Sequence, residues 1–381
     1  MKKALLATCA LCVGATAGYA GGIDRSGQGI NLIFEEGTVV QFRLGYTDPR
    51  VSGTLLDANP ASPTNGQVVD SGNVTESFFT PHLGFKTSLT EQLDFAIMYD
   101  QPFGADLSYS SAYPLSINPL APTVTNTLNA TADTDAITGL FRYKFDNGFS
   151  ALAGLRVQRV EATVNVPAVR GYNVQTSADT AFGYVVGVAW EKPEIAARVS
   201  LTYNSKISHD LSQTETSLST GTAATNSEIE TPQSVNLDFQ TGVAPKTLLF
   251  GSVRWVDWPQ LLYAPPVYTG PLGQANLVDF EDDTFTYTLG LGYQFTDEFS
   301  GAVTLGYESK GAEPVSNLGP TNGFWSIGLG GTYSLEKAKI SGGVRYTDIG
   351  DAVADGGFGQ NANFTGNSAW SVGFQVTYQL N

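Results

Sequence analysis

The chain has 381 residues and a formal net charge of −16, from 20 basic and 36 acidic side chains. That balance excludes nucleic acid as a partner, because phosphate binding needs a basic surface. Only 15% of residues are charged, against ~25% in an ordinary soluble domain, while the chain carries 42 Gly, 21 Phe, 17 Tyr and 5 Trp.

Residues 1–20 read as a secretory signal peptide. Lys2 and Lys3 give a positive start, Ala4 to Ala17 is apolar, and Gly18-Tyr19-Ala20 is a small-x-small cleavage site. Cys9 and Cys12 lie inside this segment, so the mature chain is expected to start at Gly21 without cysteine and without disulfides. Residues 21–37 form a short segment ahead of the first strand. After the signal, no run of about 18 apolar residues occurs, which excludes a transmembrane helix.

From there the chain alternates with period two. Trp370, Val372, Phe374, Val376, Tyr378 and Leu380 share one face, and Ser371, Gly373, Gln375, Thr377 and Gln379 share the other. In a strand these sets point to opposite sides, so one face suits lipid and the other a polar lumen. The same pattern places strands at 38–47, 76–87, 92–101, 135–146, 149–165, 179–192, 194–209, 232–243, 246–258, 283–295, 299–309, 322–335, 338–348 and 368–380. The connections alternate short and long. Asp146-Asn147-Gly148 is a tight turn, since Asn-Gly accepts positive φ, whereas 102–134, 166–178 and 210–231 are long. Short turns face the periplasm and long loops face outside in an outer-membrane barrel. A soluble sandwich shares the alternation but not the export signal or the turn rhythm. The expected fold is all-β: a 14-stranded antiparallel transmembrane β-barrel over 38–381, with residues 21–37 as a short N-terminal hatch.

Several stretches carry a resemblance. Thr231-Pro232-Gln233-Ser234 leads to Gly242-Val243-Ala244-Pro245, and the next strand ends Arg254-Trp255-Val256-Asp257-Trp258. Tyr99 to Gly104 contains Pro-Phe-Gly. Phe182-Gly183-Tyr184, Leu201-Thr202-Tyr203-Asn204-Ser205 and Phe324-Trp325-Ser326 follow in order. Taken together, Val39 to Asn381 resembles the outer-membrane long-chain fatty acid transporter family (FadL and the related aromatic-hydrocarbon channels). The resemblance implies passive uptake of long-chain fatty acids or similar hydrophobic molecules, through an apolar outer site, a lumen site and lateral release into the bilayer. The family's hatch is longer and contains Asn-Pro-Ala. Here Ser26-Gly27-Gln28-Gly29 resembles its start, and Asn59-Pro60-Ala61 sits in the first long loop instead.

A fatty acid's carboxylate needs a basic partner, because burying it unpaired is costly. Parity turns Arg43, Arg142, Arg198, Arg254 and Arg345 inward. The resemblance puts the head group near the fifth strand, at Arg156 or Arg159, with Arg254 assisting. These two lie three apart, so both cannot face inward without a bulge; the plain alternative is that lumen arginines pair with Glu161, Asp238 or Glu308. Pro102, Phe103 and Gly104 are either a strand terminator or, by the resemblance, a lateral gate. Leu261, Leu262 and Tyr263 open an apolar run to Tyr268 that is either an outer collecting site or a packed cap. Asp279, Glu281, Asp282 and Asp283 offer oxygens to a divalent cation or stay solvated.

Catalysis is not expected. Two histidines, His82 and His209, form no readable triad, and no Gly-x-Ser-x-Gly elbow appears. No cofactor is expected. The expected partners are a hydrophobic small molecule, outer-membrane lipid and lipopolysaccharide, around a monomer. The alternatives are an aromatic or alkane hydrocarbon channel, a general porin, or an adhesin on a barrel scaffold.

Overall fold

The computed structural model describes residues 23–123 and 126–380; the expected signal peptide lies outside them. Fourteen antiparallel walls close into a barrel. They are β1 (Val39–Arg50), β2 (Phe78–Ser88), β3 (Leu93–Asp100), β4 (Asn129–Lys144), β5 (Phe149–Val166), β6 (Asp179–Lys192), β7 (Ala197–Asn204), β8 (Ser234–Ala244), β9 (Thr247–Val256), β10 (Thr284–Gln294), β11 (Phe299–Glu308), β12 (Phe324–Ser334), β13 (Ala338–Ile349) and β14 (Asn367–Gln379). Closure is made by β1 on β14, from Val39↔Gln379 to Arg50↔Ser368. Closure leaves no free edge strand and pairs the backbone without water, as a lipid core demands, except at a break between β2 and β3.

The alternation sorts as its period dictates. On β14, Trp370, Val372, Phe374 and Tyr378 face outward and are exposed, while Ser371, Gln375 and Thr377 are buried inside. Aromatic rings ring the outside at two levels. On β10 the upper level is Phe285 and Tyr287 and the lower is Tyr293 and Phe295. The ten-residue run between Phe285 and Phe295, tilted as barrel strands are, spans about 25 Å, the height of an outer-membrane apolar band.

Four walls are interrupted and resume above the membrane level. β3 continues as Gly104–Ser108, β6 is preceded by Tyr172–Thr176, β7 continues as Ile207–Ser217, and β8 is preceded by Gly221–Thr231. Much of 210–231, expected as a loop, is therefore a hairpin running from Ile207↔Thr231 to Ser217↔Gly221. Its outer face is Ser, Thr, Asn, Asp and Glu with a single Ala, so apolar alternation could not reveal it. β4 likewise starts at Asn129, six residues earlier than expected. The loops 51–74 and 350–366 contribute Gly53–Leu56, Val68–Asp70, Ala352–Asp355 and Asn361–Phe364 to a small four-stranded sheet over the mouth.

The topology can be checked directly. Ser219 is exposed at the hairpin tip and Asn147 at the β4–β5 turn. Ser219→Cys should react with a membrane-impermeant maleimide on intact cells, and Asn147→Cys only after permeabilisation. The reverse pattern would invert the barrel.

Candidate functional site

Residues Ile23 to Gly37 run inside the barrel and divide its interior. Near the periplasmic end the 3-10 turn Asn31–Phe34 buries Leu32, Ile33 and Phe34. These side chains pack with Ala96, Met98, Leu140, Leu152, Val185 and Ala189 of β3 to β6. Leu32 lies against Gly84 of β2, where any added Cβ would collide with it. The Phe34 ring is held between Arg142 and Arg198, at 4.7 and 4.4 Å. Lys86 Nζ donates to Gly37 O at 3.1 Å, and Lys339 pairs with Glu35 at 3.0 Å.

A polar belt lies above this plug. Arg254 on β9 donates through Nε to Asp24 Oδ2 at 2.5 Å, through Nη1 to Asn236 Oδ1 at 2.8 Å, and through Nη2 to Gln28 Oε1 at 3.2 Å. Ser234 Oγ donates to Gln28 Oε1 at 2.7 Å, Asn236 Nδ2 to Gly27 O at 3.0 Å, and Ser26 Oγ to Asp100. Arg156 on β5 is buried in the same belt, with Nε on Thr138 Oγ1 at 2.9 Å and Nη1 on Asn204 Oδ1 at 3.1 Å.

Outside the belt is a large apolar cluster walled by strand extensions and roofed by loops. Phe103, Val160, Tyr172, Val256, Trp258, Leu261, Tyr263, Tyr268 and Phe364 belong to it. Trp258 sits against Phe103 edge-on at 5.7 Å and against Phe280 at 5.4 Å. The roof is pinned by Glu215, a fully buried carboxylate. It accepts from Tyr172 OH at 2.8 Å, Thr225 Oγ1 at 2.6 Å, and the amides of Val267 and Tyr268. Burial pushes the Tyr268 phenol up to about 12, and burial beside Glu215 raises Tyr172 and Tyr263 too. These hydroxyls therefore stay protonated. Tyr263 donates to Gln213 Oε1 at 2.7 Å. Two acidic side chains are buried here, Asp57 in the loop 51–74 and Glu215 on the hairpin, and among the described residues outside the strands the buried basic side chain is Arg25 of the N-terminal segment.

The wall itself has a discontinuity. β2 and β3 pair from Leu83↔Tyr99 to Ser88↔Asp94 and meet again at a bridge, Thr75↔Leu107, beside Glu76 N donating to Asp106 O at 3.1 Å. Among the described residues no ladder pair joins 77–82 to 100–105. Pro81 and Pro102, one on each side, lack the donor a ladder needs. On the β4 side, Gln101, Pro102 and Phe103 occupy the space opposite Thr134 and Asp135, and Phe103 N and O both bond the Thr134 hydroxyl, at 2.8 and 2.7 Å. Inside, the N-terminal segment takes the missing neighbour's place. Arg25 N donates to Pro102 O and Gly104 N to Ile23 O, both at 2.8 Å, around a bridge between Asp24 and Phe103.

The candidates from sequence thus separate. Arg156 and Arg254 face inward, already engaged with the wall and the N-terminal segment. Arg159 does not join them. The β4–β5 register is unbroken, so residues three apart take opposite faces; Arg159 lies outside, half-exposed, with Glu161 at 2.9 Å and Asp135 at 3.9 Å. Leu261 and Tyr263 are buried in the apolar cluster, while Leu262 between them is exposed. Pro102, Phe103 and Gly104 lie at the discontinuity. In the acidic run, Asp283 accepts from Trp255 Nε1 at 2.8 Å and Asp282 from Ala312 N.

Sequence reading missed Trp258's place at the centre, Glu215, Pro81, and the contacts of Asp24, Arg25 and Gln28. Of these only Trp258 and Pro81 carried a local sign, a bulky ring ending a strand and a proline within one.

Residues 39–308 match the family described as outer membrane protein transport protein (OMPP1/FadL/TodX). No curated protein matches the chain by sequence. Among solved structures, a FadL homologue of Pseudomonas aeruginosa is similar, with a TM-score of 0.72 at 14% identity over 92% of each chain. The toluene transporter TodX of Pseudomonas putida gives 0.64 at 10% identity over 96% of each chain. The toluene transporter TbuX of Ralstonia pickettii gives 0.57 at 10% identity over 91% of this chain and 90% of its own. At such identities the likeness speaks for the fold, and the match over 39–308 speaks for descent. The chain belongs to the OMPP1/FadL/TodX family of outer-membrane transport channels for hydrophobic molecules.

Proposed function

We propose that this channel carries uncharged hydrophobic molecules, aliphatic or aromatic hydrocarbons, rather than ionised fatty acids, and that it releases them sideways through the wall between β2 and β3. The observation that carries the reading is the apolar lining of the outer compartment. Its lining is aliphatic and aromatic, and the acidic side chain buried against it is Glu215 of the hairpin, which already accepts from Tyr172, Thr225 and two amides. An apolar ligand gains ~25 cal/mol for each Å² it buries there. An ionised carboxylate gains nothing from such a lining and stays unpaired unless it displaces a bond already made by a buried arginine.

The fatty acid reading keeps one support, the buried arginines Arg254 and Arg156 of the belt and Arg25 beside the split. Arg254 already holds Asp24 and Gln28, and Arg156 holds Thr138 and Asn204. A carboxylate would have to displace those bonds. The sideways route rests on the split between β2 and β3, which adjoins Phe103 and so opens from the apolar compartment.

The test compares palmitate, its methyl ester and hexadecane in detergent at pH 8, read by quenching of tryptophan fluorescence. The ester and the alkane should bind alike. Palmitate should bind at least about ten-fold more weakly, since an unpaired buried carboxylate costs well over ~1.4 kcal/mol. Palmitate binding as tightly as its ester would return the fatty acid reading to first place.

A further inference from the structure

We propose that Arg25 is the stopper of the split between β2 and β3, the side chain that must leave before a ligand can pass from the lumen to the bilayer. The inference rests on the sideways route proposed above and assigns its control to one residue.

The placement is specific. The Arg25 backbone is tied to Pro102 O at 2.8 Å, which fixes it at the level where the ladder is missing. Its guanidinium lies over the Phe78 ring, 4.4 Å from the centroid, so it bridges to the opposite lip of the split. It also fills the space a side chain at position 104 would take: an ideal Cβ on Gly104 would stand 2.5 Å from Arg25 Cζ. Arg25 therefore depends on glycine there. The side chain is buried, and Asp106 on the upper lip lies within its electrostatic reach.

Charge suits the task. An apolar stopper would be chemically like the ligand and could follow it into lipid. A guanidinium resists entering hydrocarbon, so it can retreat only inward, toward water and the polar belt. Its seat on the ring and the backbone is strong enough to close the split and weak enough to release.

The experiment uses the full-length channel in liposomes, loaded with pyrene, an uncharged aromatic whose excimer emission reports arrival in the bilayer. Cyclodextrin trapped inside the vesicles reports arrival in water. Arg25→Ala should speed transfer to the bilayer roughly 3- to 30-fold, the range of one cation–π seat, with the loading of the outer compartment unchanged. Gly104→Ala should speed it as well, because the new methyl displaces the guanidinium without removing the charge. Arg25→Lys should stay within about three-fold of the parent. Heat-modifiable migration of each variant checks that the barrel has formed, and if Arg25→Ala fails to form it the Gly104→Ala and Arg25→Lys pair gives the reading. Transfer to the bilayer at the parent rate in Arg25→Ala and Gly104→Ala would overturn the stopper while leaving the sideways route intact. Pyrene reaching the trapped cyclodextrin directly, in the parent protein, would overturn the route itself.

Discussion

Arg254→Ala is expected to free the N-terminal segment from the barrel wall and raise ion conductance in planar bilayers. The substitution leaves Asp24 without the guanidinium that lies 2.5 Å away, in a pair whose side chains are 10% and 20% exposed. Breaking a buried pair costs about 3–5 kcal/mol, because the remaining charge stays desolvated. Gln28 also loses a charge-assisted donor. The lower attachments, Phe34 between its two arginines and Glu35 on Lys339, should persist. The release should therefore be confined to residues 23–29, seen as faster amide hydrogen exchange there and not at 31–37. Adding Asp24→Asn should recover part of the loss, since the orphaned charge goes. Were Arg254 a partner of the ligand instead, its loss would weaken palmitate binding and leave exchange and conductance unchanged. Those two outcomes exclude each other.

The second large effect is expected at Trp258. It is 1% exposed at the centre of the outer compartment, and its Nε1 donates to Thr284 Oγ1 at 2.9 Å. Trp258→Ala should cost the cap about 3–5 kcal/mol, the usual loss for a buried tryptophan. It leaves a cavity between Phe103 and Phe280. Trp258→Phe keeps a ring and loses about 1 kcal/mol with the hydrogen bond. The loop 257–283 should become sensitive to external protease in the alanine variant and stay resistant in the phenylalanine one. Heat-modifiable migration should be unchanged in both, because the barrel ladder does not involve the indole. Hexadecane binding should fall with the first and survive the second. Full protease resistance in Trp258→Ala would show that the cap is held elsewhere, with Glu215 the next residue to remove.

Local chemistry determined the walls of this protein. Period-two alternation is a property of neighbouring residues, so strands such as β10 and β14 can be read off the chain, and so can Asn147-Gly148, whose φ of +83° at Gly148 only glycine takes easily. The inward face of Arg254 and the break at Pro102 were legible for the same reason. The phase of Arg156 and Arg159 was not. Both flank stretches of β5 with polar residues on each face, and only the unbroken register with β4 assigned one inward and the other out. The hairpin of Ile207–Ser217 and Gly221–Thr231 escaped because its outer face meets water, so it needs no apolar period. The division of the lumen was also beyond the sequence. Asp24 meets Arg254 across 230 residues, and Arg25 reaches Phe78 and Gly104 across 53 and 79. Contacts of that range are made by closure of the barrel around the segment, and no local pattern records them. So the sequence alone determined what the wall is, and only the tertiary structure decided which polar groups hold the segment, where the wall splits, and which charge stands in the split.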